Sequence, residues 1–192
     1  MIAIVRQHAG YVAVILFVAL LLPPLRHALE SSMALQMLVQ VPLLIGAGYL
    51  WRDSVPAPVA ALIERWNQHG VTGLVLTTLA GAVWMLPRSL DAAVSEPWVA
   101  VAKFITVPLL IGLPLGLSWP HMGFVIRGVF LLELIATFFR LGWLYMVSPM
   151  RLCNNYLLDD QQRTGEYMLV IGAVILAGVF GKLLWGRFDS GP

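Results

Sequence analysis

The stretch RGVFLLELIATFFRLGWLYMVSPMRLCNNYLLDD, Arg127 to Asp160, decides how the whole chain is read. Its first part is an apolar run long enough for a membrane helix, interrupted by Glu133, Thr137 and Arg140; its end is dense in hydrogen-bonding side chains. At ~3.6 residues per turn, Glu133 and Arg140 fall on nearly the same helix face, about 10 Å apart along the axis, with Thr137 between them. An ionised group near mid-bilayer costs about 2.5–3.5 kcal/mol on insertion scales, so both side chains should face protein or water. Their separation argues against a direct bond unless the long side chains narrow the gap, or Thr137 or water bridges it. Each is expected to find its partner on another helix, with Gln36 and Gln40 as the candidates. Two roles stay open for the pair: a relay, ligand or docking site within the membrane, or a polar staple that fixes helix packing.

The composition extends this reading to the rest of the chain. Apolar residues make up 59% and charged residues 11%, against the ~25% charged that is usual for soluble domains. An all-α integral membrane protein is expected, a six-transmembrane-helix bundle with one interfacial amphipathic helix. Residues 1–192 form one polytopic membrane domain with spans at about 8–25, 32–51, 71–87, 98–118, 124–147 and 166–186. The partners are then the lipid bilayer and other integral membrane subunits. A formal charge of +2 with scattered Lys and Arg offers no basic patch for nucleic acid. The one cysteine, Cys153, excludes an internal disulfide.

Outward from the quoted stretch, Arg6 and His8 precede the first apolar run, which ends at Pro23-Pro24. A basic start before such a run resembles a secretory signal, but no small-residue cleavage site follows, so it is read as an uncleaved span. Ser31 or Ser32 is expected to cap the second span. There Met33, Gln36, Met37 and Gln40 recur on one face; glutamines in a span seek partners across a helix interface, so this face points inward. Pro42 should loosen the helix just beyond. Val59, Leu62, Ile63 and Trp66 make residues 59–66 amphipathic, lying in the interface. Arg88 and Asp91, three apart, are placed to pair. Trp98 and Trp119 anchor the fourth span, Lys103 should snorkel to the surface, and Pro108 and Pro114 should kink the helix.

Six spans put Arg6, Arg52, Arg65, Lys182 and Arg187 on the side of both termini, and Arg26, Arg88, Arg151 and Arg163 on the other. That slight bias favours cytoplasmic termini. On the far side, His27-Glu30, Arg88-Asp91 and a connection from Ser148 to Glu166 should meet, forming a polar cluster of Glu30, Arg88, Asp91, Asn154, Asn155, Asp159 and Asp160. Such groups suit a cation or a partner's basic surface, or else cap short helices at a solvated corner.

Catalytic constellations are lacking. All four histidines lie near span ends or in connections, against the mid-span positions of a haem-binding bundle. The sequence has no phosphate-cradling glycine loop, no nucleophile elbow and no HExxH. Copper is the metal the residues suit: thioethers favour cuprous ion, and Met33 and Met37 near His27, with Met150 and Cys153 as further candidates, would make a set. The alternative is that these methionines only pack.

The segment SSMALQMLVQVPLLIGAG, Ser31 to Gly48, resembles the signature helix of the membrane-embedded, CtaG-type copper-delivery assembly factors of cytochrome c oxidase. There, histidine- and methionine-bearing positions precede an apolar PLL stretch. The likeness covers this helix alone, about a tenth of the chain, and departs from the pattern where Gln36 and Gln40 replace favoured histidines. It implies a non-enzymatic accessory or assembly component of a respiratory complex in a bacterial-type inner membrane. The implied copper link is either a Met33–Met37–His27 site or a fold kept without the metal. A small transporter or channel, its path lined by Glu133, Arg140 and the glutamine face, is the alternative. The string VPLLIG occurs at Val41–Gly46 and Val107–Gly112. Two spans apart, the copies share an orientation, so they do not show the inverted repeat of many transporters, and short apolar strings recur by chance.

Overall fold

The computed structural model describes residues 2–185, with side chains from residue 9 to 184. The described residues form helices and connections, with no strand among them. The side chains of Arg6 and His8, and all of Arg187, lie outside the described residues.

Helix α1 (Ile2–Leu21) breaks at Leu22, and Pro23 and Pro24 open α2 (Pro23–Glu30), which leaves at 72°. Proline lacks an amide that a first turn would leave unbonded anyway, and its fixed φ suits that turn, so this pair starts a helix. The span expected over 8–25 therefore ends at Leu21, and the expected polar corner of Arg26, His27 and Glu30 is helical. Helix α3 (Met33–Ser54) follows without a long connection, then α4 (Ala57–Trp66), the expected amphipathic helix. The same construction returns in α5 (Val71–Met85), bent by 66° into the proline-started α6 (Pro87–Ser95), and then α7 (Pro97–His121). The chain ends in a hairpin of α8 (Phe124–Val147) and α9 (Leu158–Trp185).

Both central helices widen near a proline. In α3 the turns at Gln36–Gln40 are π-helical just before Pro42, and in α7 Val107–Gly112 is π-helical around Pro108. The missing proline amide and the clash of its ring with the carbonyl four residues back disturb the regular ladder. The second VPLLIG string is itself the widened turn of α7, the first follows directly on the widened turn of α3, and the two pack against each other. A Cβ on Gly48 would stand 2.1 Å from the Pro108 carbonyl oxygen, and one on Gly112 would stand 2.3 Å from that of Ile45. The close approach uses Gly112 of the second string and Gly48 just beyond the first, while Gly46, the first string's own glycine, has open space beside its Cβ position.

Among the described residues, three helices are long and apolar enough to cross a membrane, Met33–Ser54, Pro97–His121 and Leu158–Leu184, and counting each bent pair as one span brings the number to five. Helix α8, where the fifth span was expected, has 24 residues but lies outside that count. The last helix starts at Leu158, earlier than the span expected at 166–186, because Asp159 and Asp160 in its first turn complement the helix dipole. Only residues 148–157 of the expected long connection are non-helical.

The core joins Leu20, Leu29, Met33, Met37, Val41, Leu44, Trp84, Leu90, Phe104, Val107, Tyr145 and Met168 across most of the helices. The α8–α9 hairpin closes tightly on itself, where a Cβ on Gly165 would stand 2.7 Å from the Gly142 carbonyl oxygen. It meets the rest of the bundle chiefly where α9 packs on the start of α3. Much of its flank is left uncovered, with Val129, Leu132, Val170, Val174 and Phe180 exposed.

Candidate functional site

Among the described residues, a buried charge pair lies between α2, α3 and α7. Lys103 is fully buried in α7, and its ammonium donates to Glu30 Oε1 at 2.7 Å and to Gln40 Oε1 at 2.8 Å. Gln40 Nε2 reaches the same Glu30 oxygen at 3.4 Å, and Arg26 Nε donates to Glu30 Oε2 at 3.0 Å. The Arg26 side chain, one turn earlier on α2, is 32% exposed and leads from this centre to the surface. The Phe104 ring lies under both cations, 5.6 Å from the Arg26 guanidinium and 5.3 Å from the Lys103 ammonium. A buried charge pair is tolerated when good geometry and extra hydrogen bonds satisfy both ions, and Gln40 supplies those bonds here.

A second layer continues toward the connections. Gln36 donates to the Leu90 carbonyl at 3.2 Å and accepts the Tyr156 hydroxyl at 2.9 Å; that hydroxyl also lies 3.0 Å from the Glu30 carbonyl. Asp91 on α6 accepts the Asn155 amide at 2.9 Å and its side-chain nitrogen at 3.0 Å. Asp160 accepts the Ser32 hydroxyl at 2.8 Å and the Met33 amide at 2.6 Å. The start of α3 is thus capped by a carboxylate from the far end of the chain, while Ser31 turns back to the Ala28 carbonyl at 2.8 Å. The cap expected from Ser31 or Ser32 is replaced because an ionised acceptor makes the stronger bond. Gln161 joins α9 to α8 and to the connection, accepting the Leu152 amide at 2.8 Å and donating to the Tyr145 carbonyl at 3.2 Å.

Burial in this layer raises the Tyr156 hydroxyl above its ordinary range, and the Glu30 carboxylate adds to the shift. Burial, and then the carboxylates of Asp91 and Asp160, push the Cys153 thiol up to about 11. Cys153 therefore stays protonated at neutral pH, lies 3.5 Å from the Pro87 carbonyl oxygen, and is a poor thiolate ligand.

Several expected placements change. Glu133 and Arg140 form a direct ion pair, with Thr137 within 3.5 Å of the carboxylate and 3.4 Å of the guanidinium. Two long side chains lying along the helix close the gap that the backbone rise leaves. Their side chains are 52% and 63% exposed, so neither meets Gln36 or Gln40, both fully buried in the other network. The glutamine face points inward, and the ion pair points out. Lys103 does not snorkel, because Glu30 and Gln40 bind it more closely than a route to the surface would allow. Asp91 is held by Asn155, while Arg88 is exposed. Asn154 and Asp159 are also exposed.

Of the copper candidates, Met33 and Met37 are 1% and 2% exposed within the core, and the Met37 sulfur lies 3.7 Å from the Tyr145 hydroxyl. His27 and Met150 are exposed. The thioethers are packed inward while the imidazole faces out.

Sequence reasoning missed Lys103 and Tyr156 as members of the site. A signal for Lys103 existed: it is a lone charge in the apolar run that follows Trp98, and such a charge calls for a partner of opposite sign. Tyr156 had only its place among amides and acids. Chemically the centre is a closed, internally satisfied set of charges that clamps three helices and the 148–157 connection together. Compared with protein-family models, curated proteins and solved structures, the chain matches none of them.

Proposed function

We propose that this chain is a non-catalytic, six-span accessory or assembly component of a larger inner-membrane complex, with both termini cytoplasmic, and that the outer face of the α8–α9 hairpin receives the partner. The observation that carries the reading is the outward Glu133–Arg140 pair, midway along an apolar helix and half exposed. An ion pair facing hydrocarbon is costly, and a polar group on a partner helix would relieve that cost. The uncovered apolar flank of the same hairpin supports a protein neighbour. The glutamine face is buried in the core and the ion pair is exposed on the hairpin, which favours a partner-facing role for the pair over a shared transport path. Within this reading, the resemblance of α3 suggests a cytochrome oxidase-type complex, with Met33 and Met37 as the thioethers a cuprous ion would take.

The test is copurification in mild detergent, with metal analysis of the complex. Glu133→Gln combined with Arg140→Gln is expected to release the partner while leaving the unfolding free energy of the isolated protein within about 1 kcal/mol of the parent, as for other exposed pairs. A partner retained by the double variant would remove the hairpin face from the interface. Copper leaving with the partner, or never present, would end the copper link.

The topology has its own test. Reporter fusions after Asp53 and after Asp160 are expected to label opposite faces of the membrane, with Asp53 cytoplasmic. The same face for both would exclude six spans with cytoplasmic termini.

A further inference from the structure

We propose that the corner between α4, α5 and α7 is a binding site for one anionic glycerophospholipid. Helix α4 has no buried residue, and its apolar side is unmatched by protein: Val59 is 46%, Leu62 56% and Trp66 78% exposed. Beside it runs a groove of about 690 Å³, walled by Leu62, Leu76, Leu79, Leu109, Leu113 and Leu117. This volume falls in the range of small-molecule sites, and the walls suit hydrocarbon. Trp66 and Thr72 line the groove and also line a smaller hollow of about 240 Å³ whose other walls include Arg65, Gln68 and His69. A polar, cationic compartment and an apolar one therefore meet at shared residues.

That division selects the occupant. Arg65 has no ion-pair partner among the described residues, whereas Glu64 beside it lies 3.4 Å from the His121 ring. A guanidinium fits a phosphodiester through paired N–H donors, and Gln68 and His69 add further hydrogen-bonding groups. In the groove the polar wall is occupied: Asn67, 5% exposed, donates to the Ser118 hydroxyl at 2.8 Å and accepts the Gly73 amide at 3.0 Å. Polar recognition is thus confined to one end and hydrocarbon contact to the other, which matches a headgroup and its acyl chain. A partner helix would present its apolar side along its whole length and leave Arg65 unused. Trp66 at the junction has the amphipathic ring favoured at the headgroup level.

The experiment uses the full chain in mild detergent, titrated with phosphatidylglycerol or with phosphatidylcholine, with bound lipid counted by native mass spectrometry. One phosphatidylglycerol is expected to bind preferentially, and Arg65→Gln should weaken it about fivefold, the effect of one basic residue at an anionic lipid surface, without changing phosphatidylcholine binding. Leu113→Trp, which fills the groove, should abolish the preferred site for both lipids; an unchanged thermal midpoint shows that this variant is folded. Equal binding of the two lipids, or no effect of Arg65→Gln, overturns the site. A copurified protein released by Leu113→Trp while the lipid preference persists assigns the groove to a partner helix and equally overturns it. These readouts concern α4 and its groove, so they are separable from loss of a partner at Glu133 and Arg140.

Discussion

Glu30→Gln is expected to lower the unfolding free energy in detergent by about 3–5 kcal/mol, the cost of leaving one member of a buried ion pair without its counter-charge. The Lys103 ammonium is fully enclosed, and Glu30 is the carboxylate that reaches it. Lys103→Met should cost somewhat less, because Glu30 keeps its bond from Arg26 at 3.0 Å. Glu30→Gln combined with Lys103→Met should be less destabilising than Glu30→Gln alone, since the double variant leaves no isolated buried charge. Thermal or denaturant unfolding of all three variants gives the coupling directly. Additive losses would mean that the two groups do not depend on each other, and the buried pair would then not be the unit that stabilises this centre.

Gly112→Leu is expected to prevent α3 and α7 from closing, with the protein aggregating or losing several kcal/mol, as overpacking against an unyielding wall does. The obstacle is backbone: the first added carbon would stand 2.3 Å from the Ile45 carbonyl oxygen and 2.8 Å from the Gly48 Cα. Gly48→Leu should act alike, because its Cβ would meet the Pro108 carbonyl oxygen at 2.1 Å. Gly46→Leu is the internal control, with nothing within 4 Å of its Cβ. It should leave the midpoint nearly unchanged. Gel filtration in detergent followed by thermal unfolding distinguishes these outcomes, and equal behaviour of Gly46 and Gly112 variants would rule out the close crossing of the VPLLIG strings.

The helical class, the membrane-like composition, the amphipathic α4 and the inward face of Met33, Gln36, Met37 and Gln40 were legible from the sequence. These are local properties: residues three and four apart share a helix side whatever surrounds them. The breaks near Pro23 and Pro87 are local too, although their outcome, short helices leaving at steep angles, was not read from the sequence. Pairing of charges is a different kind of property. Periodicity says that Glu133 and Arg140 share a face and that apolar surroundings make both costly, but not whether the face turns toward neighbours or away. The tertiary structure turned it outward and let the two side chains meet each other. It set Lys103, which sequence spacing sent to the surface, against Glu30 from 73 residues away, and Asp160 against the start of α3 from 127 residues away. A buried charge requires a partner of opposite sign at bonding distance, and only the packing of α2, α3, α7 and α9 determined which residue stood there.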